Sequence, residues 1–377
     1  MSIQPIHKSL FNYKLRDGIG LFRQMVYREI NVEKPRVFFR YSTSLTHPSF
    51  DRFAASGPVL WSNYHKADMA HWINYPAIVT KIPFLLECND HPLSALGYRA
   101  RGLYEPGEIL PRLADVAEIY NLPQCKAIGL YCEGYKNLFE YYFDKTLNNK
   151  FIELHCPGTV AKVESVKEGE GANFVCLASD YELKGVDLLI EAWLAIEDRR
   201  GARLVIACPN VPAAAIERSG SEIIFVHKAP LTNLEKHELL SANNVSLGPM
   251  HVHGGANLSE GMEYGHAIIY FATHSTFFRG LGEEIPVPYY FYLPSHYGVQ
   301  WKTFEGFKGR LRDDKRSGKF SDTVQQLSSA IKRYITSPEI LFDDRKKVLH
   351  AANGPASLAA RNIKLRQIYS VILDQNS

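Results

Sequence analysis

Between residues 253 and 260 the chain reads His-Gly-Gly-Ala-Asn-Leu-Ser-Glu. Gly254 and Gly255 run into Ala256, Asn257 and Leu258, which are read as the opening of a helix. Glycines let a backbone approach a ligand closely, and unpaired amides at a helix N-terminus favour an anion such as a phosphate. A plain turn into a helix uses the same residues. Glu260 falls one turn into that helix, where the helix dipole alone favours an acid. Lys184 lies in a loop directly after an apolar strand pattern, on the side where open α/β sheets bind ligands. It is either an anion contact or a solvated loop lysine.

Other reactive residue types occur in the N-terminal half. Asp17-Gly18-Ile19-Gly20 precedes a helical pattern, although a lone Gly-x-Gly also serves as an ordinary turn. Glu87-Cys88-Asn89-Asp90-His91 follows a strand pattern and ends in an acid–base pair. Asp90 and His91 suit proton transfer, or a capping turn over Asn-Asp-His-Pro. Asn63, His65 and Asp68 follow another strand and are weaker candidates. His251, His253 and His266 lie close in sequence, but no carboxylate or cysteine joins them at metal-ligand spacing, so no metal is expected.

These residues need elements to position them. Residues 36–41, 58–62, 83–88, 127–132 and 151–154 read as short buried strands, with helical patterns between them at 21–29 and 110–120. Alternating strands and helices predict a parallel sheet covered on both faces. A polar stretch over 155–171, rich in glycine and proline, reads as a hinge. The pattern then restarts, with strands at 173–178, 203–208 and 223–226 and a helix over 186–196. Residues 277–320 are aromatic and then basic, and read as an elaborated loop. The basic run at 308–319 is either solvated, since Asp313 and Asp314 interrupt it, or a contact for an anionic acceptor or a membrane. A closing helix over 356–374 carries an apolar stripe at Leu365, Ile368, Tyr369 and Ile372.

Composition bounds the rest. The 377 residues suit two domains, and 46% hydrophobic with 22% charged residues is ordinary for a globular chain. A net charge of +3 is too small to imply nucleic acid. Six cysteines without a Cys-x-x-Cys pair read as buried reduced thiols of a cytoplasmic protein. There is no signal-peptide pattern and no apolar run of membrane-spanning length.

Three segments, taken in order, resemble glycosyltransferase family 4 and its GT-B relatives. They are residues 174–193 (FVCLASDYELKGVDLLIEAW), 231–250 (LTNLEKHELLSANNVSLGPM) and 253–269 (HGGANLSEGMEYGHAII). The resemblance covers most of 174–275, is fainter over 11–160 and does not extend to 277–320. It implies an α/β GT-B fold, with two Rossmann-like domains facing each other across a cleft. Residues 1–165 would form the acceptor domain and 166–356 the nucleotide-sugar domain, with the helix over 357–377 packing back on the first.

It also implies transfer of a hexose or related sugar from a nucleoside-diphosphate sugar to an acceptor hydroxyl, with retention and without a metal or other cofactor. Lys184 and the amides from Gly254 to Leu258 would hold the diphosphate, and Glu260 would accept hydrogen bonds from the ribose hydroxyls. Gly18 and Gly20 match the family's glycine-rich first loop, beneath the diphosphate. Asp90 and His91 would meet the transferred sugar or the acceptor. The usual acceptors are glycans or lipid-linked glycans of surface polysaccharides, made on the inner face of the membrane.

Two positions depart from the family pattern. Val252 stands where the family's first glutamate falls, and Ser179 where its phosphate-binding arginine falls. His251 and His253 flank the missing carboxylate and either bond the donor sugar or are loop histidines. The departures keep a second class open, a GT-B protein that binds a nucleotide sugar or a partner without transfer. A third reading is an epimerase or hydrolase on the same fold.

Overall fold

The structure is a computed structural model. It describes residues 37–41, 69–73, 83–88, 120–130, 145–154, 159–228, 231–249, 251, 256–272, 278–287 and 304–374. The described strands form two parallel sheets. The first is ordered β1-β2-β3-β4-β5, from β1 (Val37–Tyr41), β2 (Met69–Ile73), β3 (Phe84–Cys88), β4 (Cys125–Leu130) and β5 (Phe151–Glu153). Phe84, Leu85, Leu86 and Ile128 are fully buried, as central parallel strands require. The strand expected at 58–62 lies outside the described residues. β2 was not anticipated, because His71 interrupts its apolar run.

The second sheet is built from β6 (Asn173–Leu177), β7 (Arg203–Ala207), β8 (Ile223–Val226), β9 (Val245–Gly248), β10 (Ala267–Phe271) and β11 (Glu283–Ile285). Its order is β11-β10-β9-β6-β7-β8, with all pairs parallel. From β6 the chain winds outward through β7 and β8. It then crosses back to β9, beside β6, and winds the other way. The reversal lies between β6 and β9, and in open α/β sheets a ligand crevice opens outside the carboxyl ends of such a strand pair.

Helix α1 (Val186–Leu194) follows β6 and buries Val186, Leu188, Leu189, Ile190, Ala192 and Trp193, with Trp193 edge-on to Phe174 at 5.6 Å. Helix α2 (Ala213–Ser219) follows β7. Helix α3 (Asn233–Ser241) starts at a capping box, in which Thr232 and Glu235 satisfy each other's backbone amides. Helix α4 (Ala256–Glu263) lies tight on β9. A Cβ on Gly261 would come within 2.1 Å of the Ser246 hydroxyl, so only glycine allows this approach.

The described part of the stretch over 277–320 is not simply a loop. It contains β11 and helix α5 (Phe304–Arg316). Helices α6 (Ser321–Thr336), α7 (Pro338–Asn353) and α8 (Leu358–Asp374) complete the chain. On α8 Leu365, Tyr369 and Ile372 are buried, and Tyr369 Oη lies 2.6 Å from Nδ1 of His71 on β2. The last helix thus meets the first sheet. Ser357, at its start, forms a parallel bridge with Thr159, and Leu358 donates to the Thr159 carbonyl at 2.9 Å. No helix among the described residues is long and apolar enough to cross a membrane.

Candidate functional site

At the carboxyl end of β6 the chain turns through residues 178–185 before entering α1. Asp180 organises this turn. Its Oδ1 accepts the amides of Glu182 at 3.1 Å and Leu183 at 2.9 Å, an Asx turn written in the sequence as Asp-Tyr-Glu-Leu. Lys184 is partly buried at the end of the turn. Gly185 follows with φ +59° and serves as the α1 cap.

The loop after β9 runs directly alongside. A Cβ on Gly185 would fall 1.9 Å from the Pro249 carbonyl oxygen, and the His251 amide donates to the Leu183 carbonyl at 3.1 Å. A third link comes from α4, where Asn257 Nδ2 donates to the Leu177 carbonyl, at the end of β6, at 2.7 Å. The structure therefore brings together the Lys184 turn, the end of β9 and the start of α4 at the reversal point of the sheet.

The side chains there are used unequally. Asn257 is spent on the fold, since its Oδ1 also accepts the Leu258 amide at 3.0 Å. Leu258 is fully buried beneath Gly248. Both anchor α4 to the sheet. Glu260, one turn on, is partly buried and pairs with Lys236 of α3 at 2.9 Å. The Ala256 backbone opens α4. Gly254, Gly255 and His253, and likewise Gly18, Gly20, Asp90 and His91, lie outside the described residues.

His251 is buried, packed against Phe271 at 5.3 Å and Phe320 at 5.2 Å. Burial, and then the nearby Lys315, push its pKa down to about 3, so it is neutral. This packing does not favour the sugar-contact alternative for His251. His266 is also buried and neutral, its pKa lowered to about 4 chiefly by burial, with its ring between Ser246 Oγ and the Leu240 carbonyl at 2.8 Å each. Among the described residues no three His, Cys, Asp or Glu side chains converge as a metal ion would require.

Sequence reasoning missed two contributors. One is Lys236, whose partner lies 24 residues away. The other is α5, a helix rather than a loop, in which Arg310 and Arg316 stay exposed while other cations pair with the turn and α1. Lys308 pairs with Asp180 at 2.7 Å, and Arg312 grips Glu182 through two hydrogen bonds of 2.5 and 2.7 Å. Lys315 reaches Asp187 and Glu191 of α1 at 3.0 Å each. The spacing 308, 312, 315 puts all three on one helix face, and that was the available signal. Burial opposes the Lys315 charge, but Asp187 and Glu191 outweigh it and hold the pKa above the usual lysine value. At Asp180 burial is likewise outweighed, by Lys308 and the Leu183 amide, and the carboxyl lies below its ordinary range.

No protein-family model matches the chain, and no curated protein matches it by sequence. Solved structures do resemble it. Anabaena Alr3699/HepE in complex with UDP superposes with a TM-score of 0.56 at 11% identity, covering 86% of this chain and 84% of that one. A glycosyltransferase from Rickettsia africae ESF-5 gives 0.50 at 13% identity, covering 88% and 84%. The pneumococcal O-GlcNAc transferase GtfA, in complex with UDP and GlcNAc, gives 0.51 at 12%, covering 81% of this chain and 57% of that one. At such identities the likeness is one of fold. The chain has an α/β architecture of parallel sheets and helices, that of the GT-B glycosyltransferases.

Proposed function

We propose that the chain is a glycosyltransferase that moves a sugar from a nucleoside-diphosphate sugar to an acceptor hydroxyl. The observation that carries this is the joining of the Lys184 turn, the end of β9 and the start of α4 at the sheet's reversal point. In this reading the Lys184 ammonium and the amides leading into α4 stabilise the charge that develops on the leaving diphosphate. Glu260 accepts from the ribose. Transfer proceeds with retention, the departing phosphate taking the acceptor proton on the same face, and no metal is needed. Should the reaction invert, Asp90 or His91 is the general base. The resemblance to family 4 supports these finer points and the division into residues 1–165 and 166–356, with residues 357–377 returning to the first unit. It also supports a glycan or lipid-linked acceptor at the cytoplasmic membrane face. UDP, bound in two of the similar structures, is the first nucleotide to test.

The experiment is a thermal-shift panel of UDP, GDP, ADP, CMP and dTDP with their sugars, followed by titration of Lys184→Ala and Glu260→Ala. A ligand at a hundred times its Kd adds about 2.7 kcal/mol, a readable shift. One clear responder, weakened in both variants, supports the reading, and no responder removes it. Ser179 and Val252 favour a second reading, binding without turnover. Nucleotide release from the bound sugar nucleotide, with and without an acceptor mixture, separates the two.

A further inference from the structure

Lys236 stands where the fold does not call for a cation. It lies in the first turn of α3, at the positive end of the helix dipole, where a lysine is disfavoured. The local needs of that turn are already met, because Glu235 closes the capping box and pairs with Lys228 at 2.5 Å. Lys236 instead reaches across to α4 and donates to Glu260 Oε1 at 2.9 Å. Both side chains are largely withdrawn from water, at 19% and 13% exposure, yet both keep unused capacity. An ammonium has three protons and a carboxylate has two oxygens. Among the described residues this pair makes one side-chain hydrogen bond, between Nζ and Oε1. Two donor positions and Oε2 remain beyond that bond, between helices that follow β8 and β9.

We infer that Lys236 is the cationic half of the ribose contact and sets a preference for ribonucleotides over 2′-deoxyribonucleotides. This rests on the reading of the site as a nucleotide-sugar site. A vicinal diol offers donors and acceptors on adjacent oxygens. Glu260 can accept from one hydroxyl while Lys236 donates to the oxygen of its neighbour, a complementarity that neither side chain supplies alone. Loss of one hydroxyl leaves a hydrogen-bonding position of a partly buried charged group unfilled, which is the situation in which polar sites discriminate most strongly.

The test compares UDP with 2′-deoxy-UDP, and GDP and ADP with their 2′-deoxy forms, by calorimetric titration of the full chain. The wild type should bind the ribonucleotide about tenfold more tightly or better. Lys236→Met should lose most of that ratio through weaker ribonucleotide binding, with 2′-deoxy binding little changed, and Lys236→Arg should retain part of it. Lys236→Met leaves Glu260 unpaired and can unfold the domain, so Lys236→Met/Glu260→Gln, which leaves no bare charge, is measured in parallel and should be folded and indifferent to the 2′-hydroxyl. A Lys236→Met protein that keeps the full ratio, or loses equally for both nucleotides, overturns the inference and leaves the nucleotide reading standing. So does a wild type that binds dTDP or 2′-deoxy-UDP as well as UDP. A wild type that binds no nucleotide removes both.

Discussion

Lys308 of α5 lies 2.7 Å from the carboxylate of Asp180, the residue whose other oxygen accepts the Glu182 and Leu183 amides. Asn210 adds a longer bond to the same carboxylate at 3.3 Å. The turn that ends in Lys184 is therefore shaped from within by Asp180 and held from outside by α5. Arg312 and Lys315 repeat the arrangement on Glu182 and on α1, so one helix face secures both the turn and the helix that follows it.

Lys308→Ala should loosen that turn. Lys308 and Asp180 are only 13% and 18% exposed, and removal of one partner leaves a poorly solvated charge. A cost of about 1–3 kcal/mol is expected, below the range for fully buried pairs. Hydrogen exchange should quicken over residues 181–187, with β9 and β10 unaffected, and Lys308→Arg should restore slow exchange. Unchanged exchange in the turn would show that α5 is not what holds it.

Gly185→Ala tests the contact between the two loops. The residue needs a left-handed backbone, which costs a non-glycine residue about 1–2 kcal/mol. Its new Cβ would also meet the Pro249 carbonyl oxygen at 1.9 Å, and backbone cannot swing aside as a side chain does. A loss of about 2–4 kcal/mol in urea unfolding is expected, together with weaker nucleotide binding, because the turn must move away from β9. A variant as stable as the wild type would mean that the loops are not packed as described.

The sequence announced the sheets more clearly than the site. β6 and β7 have buried interiors, so uninterrupted apolar runs gave them away, whereas β10, just as buried, went unread because its run follows directly on the loop and helix before it. β2 escaped because His71 sits in its middle, its Nδ1 bonded to a tyrosine 298 residues along the chain. Helix α5 escaped because its face is charged rather than apolar, and its acidic partners lie on a turn and helix more than 120 residues earlier. The role of Asn257 in anchoring α4 was hidden for a similar reason, since its partner, Leu177, lies on a strand 80 residues earlier. Periodicity reports burial along one element. It does not report which two elements meet.

His251→Phe should stabilise the protein, and more so in acid. His251 Nδ1 is buried without a partner, and the ring already sits among Phe271 and Phe320. Near neutral pH the gain should be modest, up to about 1 kcal/mol. Below the ordinary histidine pKa of 6.5 the unfolded chain binds a proton that the folded one, with a pKa of about 3, refuses. Stability of the wild type therefore falls with pH in that window, and the variant escapes this loss, by about 2–3 kcal/mol at pH 4.5. Equal pH dependence in the two proteins would contradict the burial of this ring.

Glu263 gives the opposite slope. It closes α4, and its Oε1 accepts the Val160 amide at 3.1 Å beside the Thr159–Ser357 bridge. Burial dominates, and despite that hydrogen bond and the charge of Lys162 its pKa is raised from 4.5 to about 7. Between these two values the folded state holds a proton that the unfolded state has released, so stability falls as pH rises through the window. The full effect is about 3 kcal/mol, reached above pH 7. Glu263→Gln keeps an acceptor for Val160 and removes the charge. In urea unfolding at pH 5, 6, 7 and 8 the variant should match the wild type at the acid end and pull ahead as pH rises. The buried histidines contribute equally to both proteins and cancel in the difference. A difference that stays flat across the range would mean that Glu263 ionises as an ordinary exposed acid, and that the junction beside Val160 is open to water.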